Sequence, residues 1–317
     1  MQDPDNLAFR IKTLAQSLGF SACGITGTEP MPDAEARFRG WISHGMHAGM
    51  RYLEQRISDR FHPATVLQDA RSVIVLAYPY GDAATARNNT TGIALYGWGE
   101  DYHHRLPRIA APLMDLLKEY NPGSTSRFYT DSGYLAERSL AVKAGLGWIG
   151  KNGTLITPGT GSMLYLAIIL TTVQLPFDDP FGHEQCGACK QCLNACPTKA
   201  LNTSGLVDAN RCIAYHTNSS KEPVPQHIAE KLGGRIFGCD ICQQVCPHNE
   251  KKRITDDLTA DFTYPGTWPR TPGEWLALSE EEFRQRFGGS APAHKGFAKL
   301  RANILSAYSP SGDSSAQ

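Results

Sequence analysis

The chemistry of this chain is concentrated in its thiols. Eight of the nine cysteines fall within residues 186–246, and the ninth, Cys23, stands alone near the N-terminus. Thiolates ligate iron and zinc, and in a reducing compartment a dense group of cysteines indicates metal binding rather than disulfide bonds. A single distant cysteine is more often a buried and inert side chain, which is what we expect of Cys23.

The spacing of the cysteines indicates the kind of metal centre. The first run is CGACKQCLNACP (186–197), the second is CDICQQVCP (239–247), and both end in Cys-Pro. The pattern Cys-x2-Cys-x2-Cys-x3-Cys-Pro is typical of bacterial ferredoxins, in which three thiolates hold one [4Fe–4S] cluster and the fourth serves the other cluster. The alternative is a pair of four-cysteine zinc sites, which usually combine two distant CxxC pairs.

A crossed assignment of ligands uses all eight cysteines. The second run lacks its first cysteine at the usual spacing, and Cys212 is the only one left to supply it. The first cluster is then held by three cysteines of the first run and the last of the second, namely Cys186, Cys189, Cys192 and Cys246. The second cluster is held by Cys196, Cys212, Cys239 and Cys242. Two clusters in one protein imply that electrons pass through it one at a time.

The bulk composition is that of a globular protein without a charge bias. Of 317 residues, 31 are Lys or Arg and 31 are Asp or Glu, so the formal net charge is zero and only a local basic patch would attract a polyanion. The N-terminus has no signal-peptide pattern, and the longest apolar run, MLYLAIIL (163–170), is too short to span a bilayer. We therefore expect a cytoplasmic protein that does not associate with membranes.

Apolar periodicity predicts a mixture of helices and strands. Helices are expected over 7–18, 106–117, 134–147, 274–287 and 295–307. Strands are expected over 22–26, 71–80, 126–130, 154–157 and 162–173, the last two paired around the turn PGTG. A linker at 175–185 precedes the cysteines, and the composition of the tail SPSGDSSAQ (309–317) predicts disorder.

Two other motifs lack the context that they need. GLGWIG (145–150) matches the dinucleotide fingerprint G-x-G-x-x-G, but its glycines close a helix rather than open one, and Leu170 stands where an acid is required. DYHHRL (101–106) is a partial match to the cobalt-ligating Asp-x-His-x-x-Gly motif, with Leu106 in place of glycine. An aspartate at a helix start beside a surface histidine explains it equally well.

Three longer segments carry a family resemblance: YGWGEDYH (96–103), YTDSGYLAERSLAVKAGLGWIGKN (129–152) and GGRIFGCDICQQVCPHN (233–249). Together with the cysteines, they make the chain resemble the epoxyqueuosine reductases over roughly residues 5–305. The resemblance implies an oxidoreductase that reduces the epoxide of epoxyqueuosine at the wobble position of tRNA to the cyclopentene of queuosine. It also implies two [4Fe–4S] clusters and cobalamin.

The resemblance implies an α+β architecture in three parts. Residues 1–175 would form an α/β cobalamin-binding domain, residues 176–250 a bacterial ferredoxin-type double-cluster domain, and residues 251–317 a short helical segment with a disordered tail. Members of the family often continue into HEAT-like repeats that help to hold tRNA. This chain ends near where they would begin, so we expect the tRNA to be held by the main body and by a basic segment with Lys295, Lys299 and Arg301.

The resemblance also implies the residues of the active site. Asp131 matches the proton donor of the family, although the sequence alone favours it as the N-cap of the next helix. Because a general acid must hold a proton near neutrality, we expect burial to raise the pKa of Asp131. The expected cobalamin contacts are Arg56, Asp131, Leu155, Leu166, Ser219 and Asp240. The cobalamin is expected base-off, with no protein ligand on its lower face.

The expected partners are tRNA carrying epoxyqueuosine and an external one-electron donor of flavodoxin or ferredoxin type, with the protein as a monomer. Expected tRNA contacts at the mouth of the pocket are Tyr102, His103, Lys151 and Asn152. Trp98 and Trp148 either stack on a base or belong to the core. Two other functions remain open: a dehalogenase-like cobalamin and iron–sulfur reductase, which would usually carry an export signal, and a ferredoxin-type electron carrier, which rarely needs so long a region before its clusters.

Overall fold

The computed structural model describes residues 3–250 and 265–308. Its helices are α1 (Pro4–Ser17), α2 (Pro32–Ser43), α3 (Ile57–Arg60), α4 (Ala83–Arg87), α5 (Tyr102–Tyr120), α6 (Glu137–Lys143), α7 (Gln191–Ala195), α8 (Gln226–Ala229), α9 (Ile241–Gln244), α10 (Pro272–Ala277), α11 (Glu280–Phe287) and α12 (Phe297–Tyr308). Its strands are β1 (Ala22–Thr26), β2 (Ser72–Pro79), β3 (Ser126–Tyr129), β4 (Trp148–Ile149), β5 (Leu155–Ile156) and β6 (Leu164–Thr171). The tail 309–317 and residues 251–264 lie outside the described residues.

A four-stranded sheet in the order β1-β2-β6-β3 forms the centre of the N-terminal part. Strand β2 is buried along its whole length because helices cover both faces of the sheet. Its residues alternate between two cores, with Ile74 and Leu76 in one and Val73 and Val75 in the other. All neighbouring strands of this sheet are antiparallel. The mixed α+β class is confirmed, and it also describes the N-terminal part, for which an α/β domain was expected.

The expected hairpin of residues 154–157 and 162–173 is wrong. Strand β5 pairs with β4, with Trp148 opposite Ile156, whereas β6 takes β2 and β3 as its neighbours. Only a bridge between Thr157 and Gly161 closes the PGTG turn. The glycines of GLGWIG allow this pairing, because a side chain at Gly147 would overlap the backbone of Ile156.

The C-terminal helices differ from expectation in one place. The single helix expected over 274–287 is divided into α10 and α11, because Ser279 starts a new helix by forming a capping box with Glu282. Helices α1, α5 and α12 are confirmed, and α6 is shorter than expected.

One hydrophobic core joins residues from all three predicted parts of the chain. It contains Ile93, Phe237, Trp275 and Leu300, and the Trp275 indole donates a hydrogen bond to the carbonyl of Thr91 (3.2 Å). A core that is shared by the three parts does not mark boundaries between them, so the division into three domains stays a prediction. Among the described residues, no helix is both long and apolar enough to span a lipid bilayer.

The contact of β1 with the loop after α6 makes a testable prediction about stability. A side chain at Gly24 would overlap the carbonyl oxygen of Ala144, which is backbone and cannot move aside cheaply. We expect Gly24→Ala to lower the free energy of unfolding of the cofactor-free chain by about 1–3 kcal/mol, measured as a fall in the thermal midpoint. The matched control is Gly40→Ala in α2, where an added Cβ meets no atom within 4 Å. It should leave the midpoint unchanged or raise it; equal midpoints for both variants would contradict the overlap.

Candidate functional site

The four predicted ligands of the first cluster line a single cavity. Cys186, Cys189, Cys192 and Cys246 share its walls with six other residues: Lys151, Asn152, Ile156, Gln191, Pro247 and His248. All nine cysteines are free thiols. Burial, followed by the charges of the three neighbouring thiolates, raises the pKa of Cys246 to about 11. A donor set of four sulfurs that disfavour one another's ionisation fits a bound cationic iron centre.

The other four predicted ligands form a second group. Burial raises the pKa of Cys239 to about 12, and the nearby Cys212 thiolate adds to the effect. Burial also raises the pKa of Cys212, with a contribution from Cys196. The pKa of Cys242 is raised by burial, then by Cys239 and Cys212, and to a lesser degree by Cys192 of the first group. The two thiol groups are therefore neighbours, as electron transfer between two clusters requires.

Hydrogen-bond donors surround the first thiol group. The Trp148 indole donates to Cys186 Sγ (3.5 Å), and Lys151 Nζ donates to the carbonyl oxygens of Gly187 and Cys189. The indole N–H is a donor of the kind that stabilises negative charge on a sulfur and tunes the potential of a cluster, whereas Lys151 holds the backbone of the ligand loop. Lys151 and Asn152, expected to contact tRNA, thus belong to the wall of this cavity.

The two tryptophans considered for base stacking are core residues. Trp98 is 8% exposed and Trp148 is 3% exposed. The Trp98 indole donates to the carbonyl of Ile93 (3.2 Å), and Trp148 packs against Phe181 and His248. Their rings are therefore unavailable to a base, and the core alternative is the correct one.

Asp131 occupies a strained turn between β3 and α6. Its φ of +54° is in the left-handed region, and its side chain is 68% exposed. The carboxylate of Glu137 accepts a hydrogen bond from the backbone N–H of Asp131 (2.7 Å), and Thr130 Oγ1 donates to the carbonyl of Leu166 in β6 (2.7 Å). The residue at the N-cap of α6 is Ala136, so the assignment of Asp131 as a helix cap is wrong.

The groups around Asp131 keep it ionised. Tyr102 donates to Asp131 Oδ2 (2.8 Å), and His103 Nε2 lies 3.7 Å from the same oxygen. His103, followed by Tyr102, lowers the pKa of Asp131 against the opposing effect of burial. The expectation of a raised pKa is therefore wrong for the chain without substrate.

Two neighbours of Asp131 have raised pKa values instead. Asp101, with Asp131 as the second carboxylate, raises the pKa of His103 to about 9. Burial, together with the charge of Asp131, raises the pKa of Glu137 to about 8. The pKa of Asp131 is thus lowered while the pKa values of His103 and Glu137 are raised. Such differences between neighbouring titratable groups are typical of a site that moves protons.

Tyr96 is a buried tyrosine whose pKa responds to the charges of both Asp131 and Asp240. Asn218, next to the exposed Ser219, donates to the Tyr96 hydroxyl (2.8 Å). The backbone N–H of Leu95 donates to Asp240 Oδ2 (2.8 Å). Burial raises the pKa of Tyr96, and the charges of Asp240 and Asp131 both add to the effect. Of these three residues Asn218 contacts the tyrosine directly, whereas Asp131 and Asp240 act on it through their charges.

Asp240 retains an unused acceptor in a cavity. Its Oδ1 is buried without a hydrogen-bond partner, and burial raises its pKa to about 6. It lines a cavity of about 350 Å³ together with residues that include Gly92, Gly234, Arg235, Cys239 and Tyr308. A buried acceptor of this kind needs a donor, and the amide side chains of a corrinoid would supply an N–H group of the required kind.

Three other predicted cobalamin contacts are Arg56, Leu155 and Leu166. Arg56 is exposed, pairs with Asp59 (2.6 Å), and lies over the ring of Tyr134 in the Asp131 turn (4.6 Å). Leu155 belongs to the second core, and Leu166 packs against that core.

The basic C-terminal segment is partly occupied by internal contacts. Lys299 Nζ donates to the carbonyl of Glu222 (2.7 Å), whereas Lys295 and Arg301 are exposed. Cys23 has a pKa raised to about 12 by burial, as expected of an inert thiol.

Sequence reasoning missed the relation between Asp101 and His103. Asp101 caps α5 as expected, accepting from the N–H of His103 (2.9 Å), but the same carboxylate also contacts the imidazole at 2.7 Å. Glu137 was missed as well, because nothing in the sequence tells that its side chain reaches the backbone of Asp131.

Comparisons with known proteins agree with this geometry. Residues 60–132 match the family model described as "Epoxyqueuosine reductase QueG, DUF1730", and residues 185–249 match a "4Fe-4S double cluster binding domain". The second match confirms the prediction of two [4Fe–4S] clusters and disfavours the zinc alternative.

The epoxyqueuosine reductase of Gloeobacter violaceus is 38% identical over 316 residues, covering 98% of both chains. That of Cellulophaga algicola is 32% identical, covering 93% of this chain and 95% of its own. An epoxyqueuosine reductase solved with an epoxyqueuosine-modified tRNA-Tyr stem loop has a TM-score of 0.84 at 30% identity, covering 95% of this chain and 80% of that one. A catabolic reductive dehalogenase (TM-score 0.50, 17% identity) shares the fold alone. The chain belongs to the epoxyqueuosine reductase family.

Proposed function

We propose that the protein is a tRNA-modifying oxidoreductase that reduces epoxyqueuosine to queuosine. The overall reaction takes up two electrons and two protons, breaks both C–O bonds of the epoxide, forms a C=C bond and releases water. The observation that carries the proposal is the position of Asp131. This exposed acid lies beside His103 and Tyr102, and its charge, like that of Asp240 between the cysteines of the second thiol group, raises the pKa of the buried Tyr96. The dehalogenase alternative rests on the fold alone.

The thiol groups support the crossed ligation of two clusters and a direction of electron flow. Gly187 and Lys190, in the loop that carries the first ligands, are exposed, whereas the second group lies next to buried Asp240. An external one-electron donor of flavodoxin or ferredoxin type would therefore deliver electrons at the first cluster. The second cluster would pass them inward.

Cobalamin is the cofactor that the family resemblance implies, and the unpartnered Oδ1 of Asp240 supports it. Bound there, it would supply the low-potential centre that gives electrons to the epoxide. Asp240 would accept from its amides, Arg56 would bind a polar edge, and Ser219, Leu155 and Leu166 would complete the contacts. The cavity of about 350 Å³ is smaller than a corrinoid, so the ligand would extend beyond it. We expect the base-off form, without a protein ligand on the lower face.

Asp131 would donate a proton to the epoxide oxygen, which is otherwise a poor leaving group. Tyr102 and His103 stay candidate tRNA contacts because they lie beside the exposed Asp131. The exposed Lys295 and Arg301 would bind phosphates of the tRNA. A tRNA substrate and nine free thiols favour a cytoplasmic location, and the protein is proposed to act as a monomer.

Replacement of Asp131 tests its role. We expect Asp131→Asn to retain the absorbance of the clusters and of added cobalamin, but to convert epoxyqueuosine-tRNA about 10²–10⁴-fold more slowly, because the amide cannot supply the proton. Conversion is measured by mass spectrometry of digested tRNA. Asp33→Asn, at an exposed aspartate in the first turn of α2, is the control and should match the unmodified chain. Full activity of Asp131→Asn would remove Asp131 from the mechanism.

Paired cysteine replacements test the crossed assignment. The intact protein should contain about eight irons after anaerobic reconstitution, and one missing ligand should reduce this to about four. If Cys186 and Cys246 share a cluster, the variant lacking both keeps about four irons, whereas the variant lacking Cys239 and Cys246 loses nearly all. An uncrossed assignment predicts the opposite result for the two pairs. Cys23→Ala serves as the control and should keep about eight irons.

A further inference from the structure

Four ionisable side chains form a continuous row at the start of α5. Asp131 Oδ2 lies 3.7 Å from His103 Nε2, and His103 Nδ1 lies 2.7 Å from Asp101 Oδ1. The other oxygen of Asp101 lies 3.1 Å from His294 Nε2, in the turn Ala291–Lys295. The Asp101 side chain is fully buried, whereas His294 is half-exposed. His103 is thus an imidazole held between two carboxylates, one buried and one at the mouth of the site.

The surroundings of His103 fix its ring and its charge. Its imidazole stacks on Tyr102 with the ring centroids 4.1 Å apart, and the ring of His294 is 6.1 Å away. Besides the two carboxylates, the charged groups that influence this cluster are His294, Glu137 and Arg138. Because Asp101 binds Nδ1, the other nitrogen of His103 is the one directed at Asp131.

This arrangement resolves a conflict in the proposed chemistry. A proton donor must carry a proton, yet the neighbours of Asp131 keep its pKa below the ordinary value, while that of His103 is raised to about 9. In the chain without substrate, the proton between these two groups therefore resides on His103.

We propose that His103 stores the proton that Asp131 delivers to the epoxide oxygen. This inference rests on the proposed function. The Nε2–H bond of His103 breaks, the proton moves to Asp131 Oδ2, and from there it passes to the oxygen as the first C–O bond breaks. The second proton, which converts the released hydroxide to water, comes from solvent, and the external donor supplies both electrons. His103 is then a neutral imidazole held by Asp101 and is protonated again from solvent.

Substrate binding supplies the trigger for the transfer. An ion pair such as Asp131 and His103 is stable in water, but covering it with a base and sugar removes the solvent and favours the neutral pair. The distance of 3.7 Å is longer than a hydrogen bond, so the two side chains must approach slightly or use one bridging water. His103 acts through Asp131 and is a positioning residue in this scheme.

The pH dependence of turnover distinguishes this role from a structural one. Because the folded pKa of His103 is raised to about 9, its proton is retained through neutrality and is lost as the pH rises through about 9. Single-turnover rates of the pre-reduced holoenzyme should thus be level near neutrality and fall about tenfold per unit above pH 9. In His103→Gln the remaining acid is Asp131, a carboxyl group that is ionised near neutrality, so the rate at pH 7.5 should fall about 10²–10³-fold and rise again as the pH is lowered to 5. Added imidazole should restore part of it.

The neighbouring His104→Gln is the matched control, because the His104 side chain is exposed and its ring centroid lies 6.0 Å from that of His294. It should keep the profile of the unmodified enzyme. Asp101→Asn, which retains a capping residue for α5, should move the alkaline limb to lower pH. A His103→Gln rate reduced equally at all pH values, with tRNA affinity unchanged, would overturn the proposal.

A measurement without turnover separates this inference from the proposed function. In the full chain free of tRNA, NMR titration of His103 should give a midpoint near 9 that falls in both Asp101→Asn and Asp131→Asn. A midpoint near 6.5 would refute proton storage even if the enzyme converts epoxyqueuosine-tRNA. A midpoint near 9 in a protein that does not convert it would support the storage of the proton and refute only the substrate.

Discussion

The site depends on one strained backbone position, the left-handed turn at Asp131. A non-glycine residue with positive φ costs roughly 1 kcal/mol, so the turn persists only because its surroundings hold it. Glu137 accepts from the N–H of Asp131, and Thr130 ties the turn to β6. With the backbone fixed from both sides, the carboxylate can remain exposed and still meet Tyr102 and His103 at the end of α5. The side chains of Glu137 and Thr130 thus hold the backbone of the turn, and the Asp131 carboxylate is left exposed to a large substrate.

The thiol module is attached to the same frame through polar contacts. Asn249, which follows the last cysteine, accepts from the backbone N–H of Ser162 (2.6 Å), and the Gln243 amide donates to the carbonyl of Ser162 (2.7 Å). Tyr80 at the end of β2 donates to Gln243 (3.2 Å). Ser162 lies two residues before β6, so the strand that anchors the Asp131 turn at Leu166 is also joined to the cysteine loops at its start. The distance between the electron-carrying and proton-carrying parts of the site is therefore set by one buried strand.

The sequence was informative where chemistry is encoded by local spacing. The cysteine runs predicted two [4Fe–4S] clusters, and helical periodicity located α1, α5 and α12. It was less informative where partners are distant in the chain. Strand β5 pairs with β4 because both edges of β6 are already paired, one with β2 and the other with β3. These partners are distant in the chain, so no local sequence pattern predicts the pairing. The pKa of Asp131 was expected to be raised because a donor needs its proton, but the position of His103, 28 residues earlier, decides the opposite.

The Asp101-x-His103 pattern is not a cobalt-ligating motif, yet its two residues belong to the proposed site. As a corrinoid motif it fails, because Leu106 is a buried core residue. Yet the two-residue spacing at a helix start places the capping carboxylate beside the imidazole, since the side chain that accepts from the N–H of His103 also reaches its ring. The cap fixes the ring, and the buried negative charge keeps the ring protonated. One carboxylate thus performs a structural task that any helix requires and an electrostatic task that only this site requires. Asparagine at this position would still cap α5 but would carry no negative charge beside the imidazole. The substitution therefore separates the structural contribution of Asp101 from its electrostatic one.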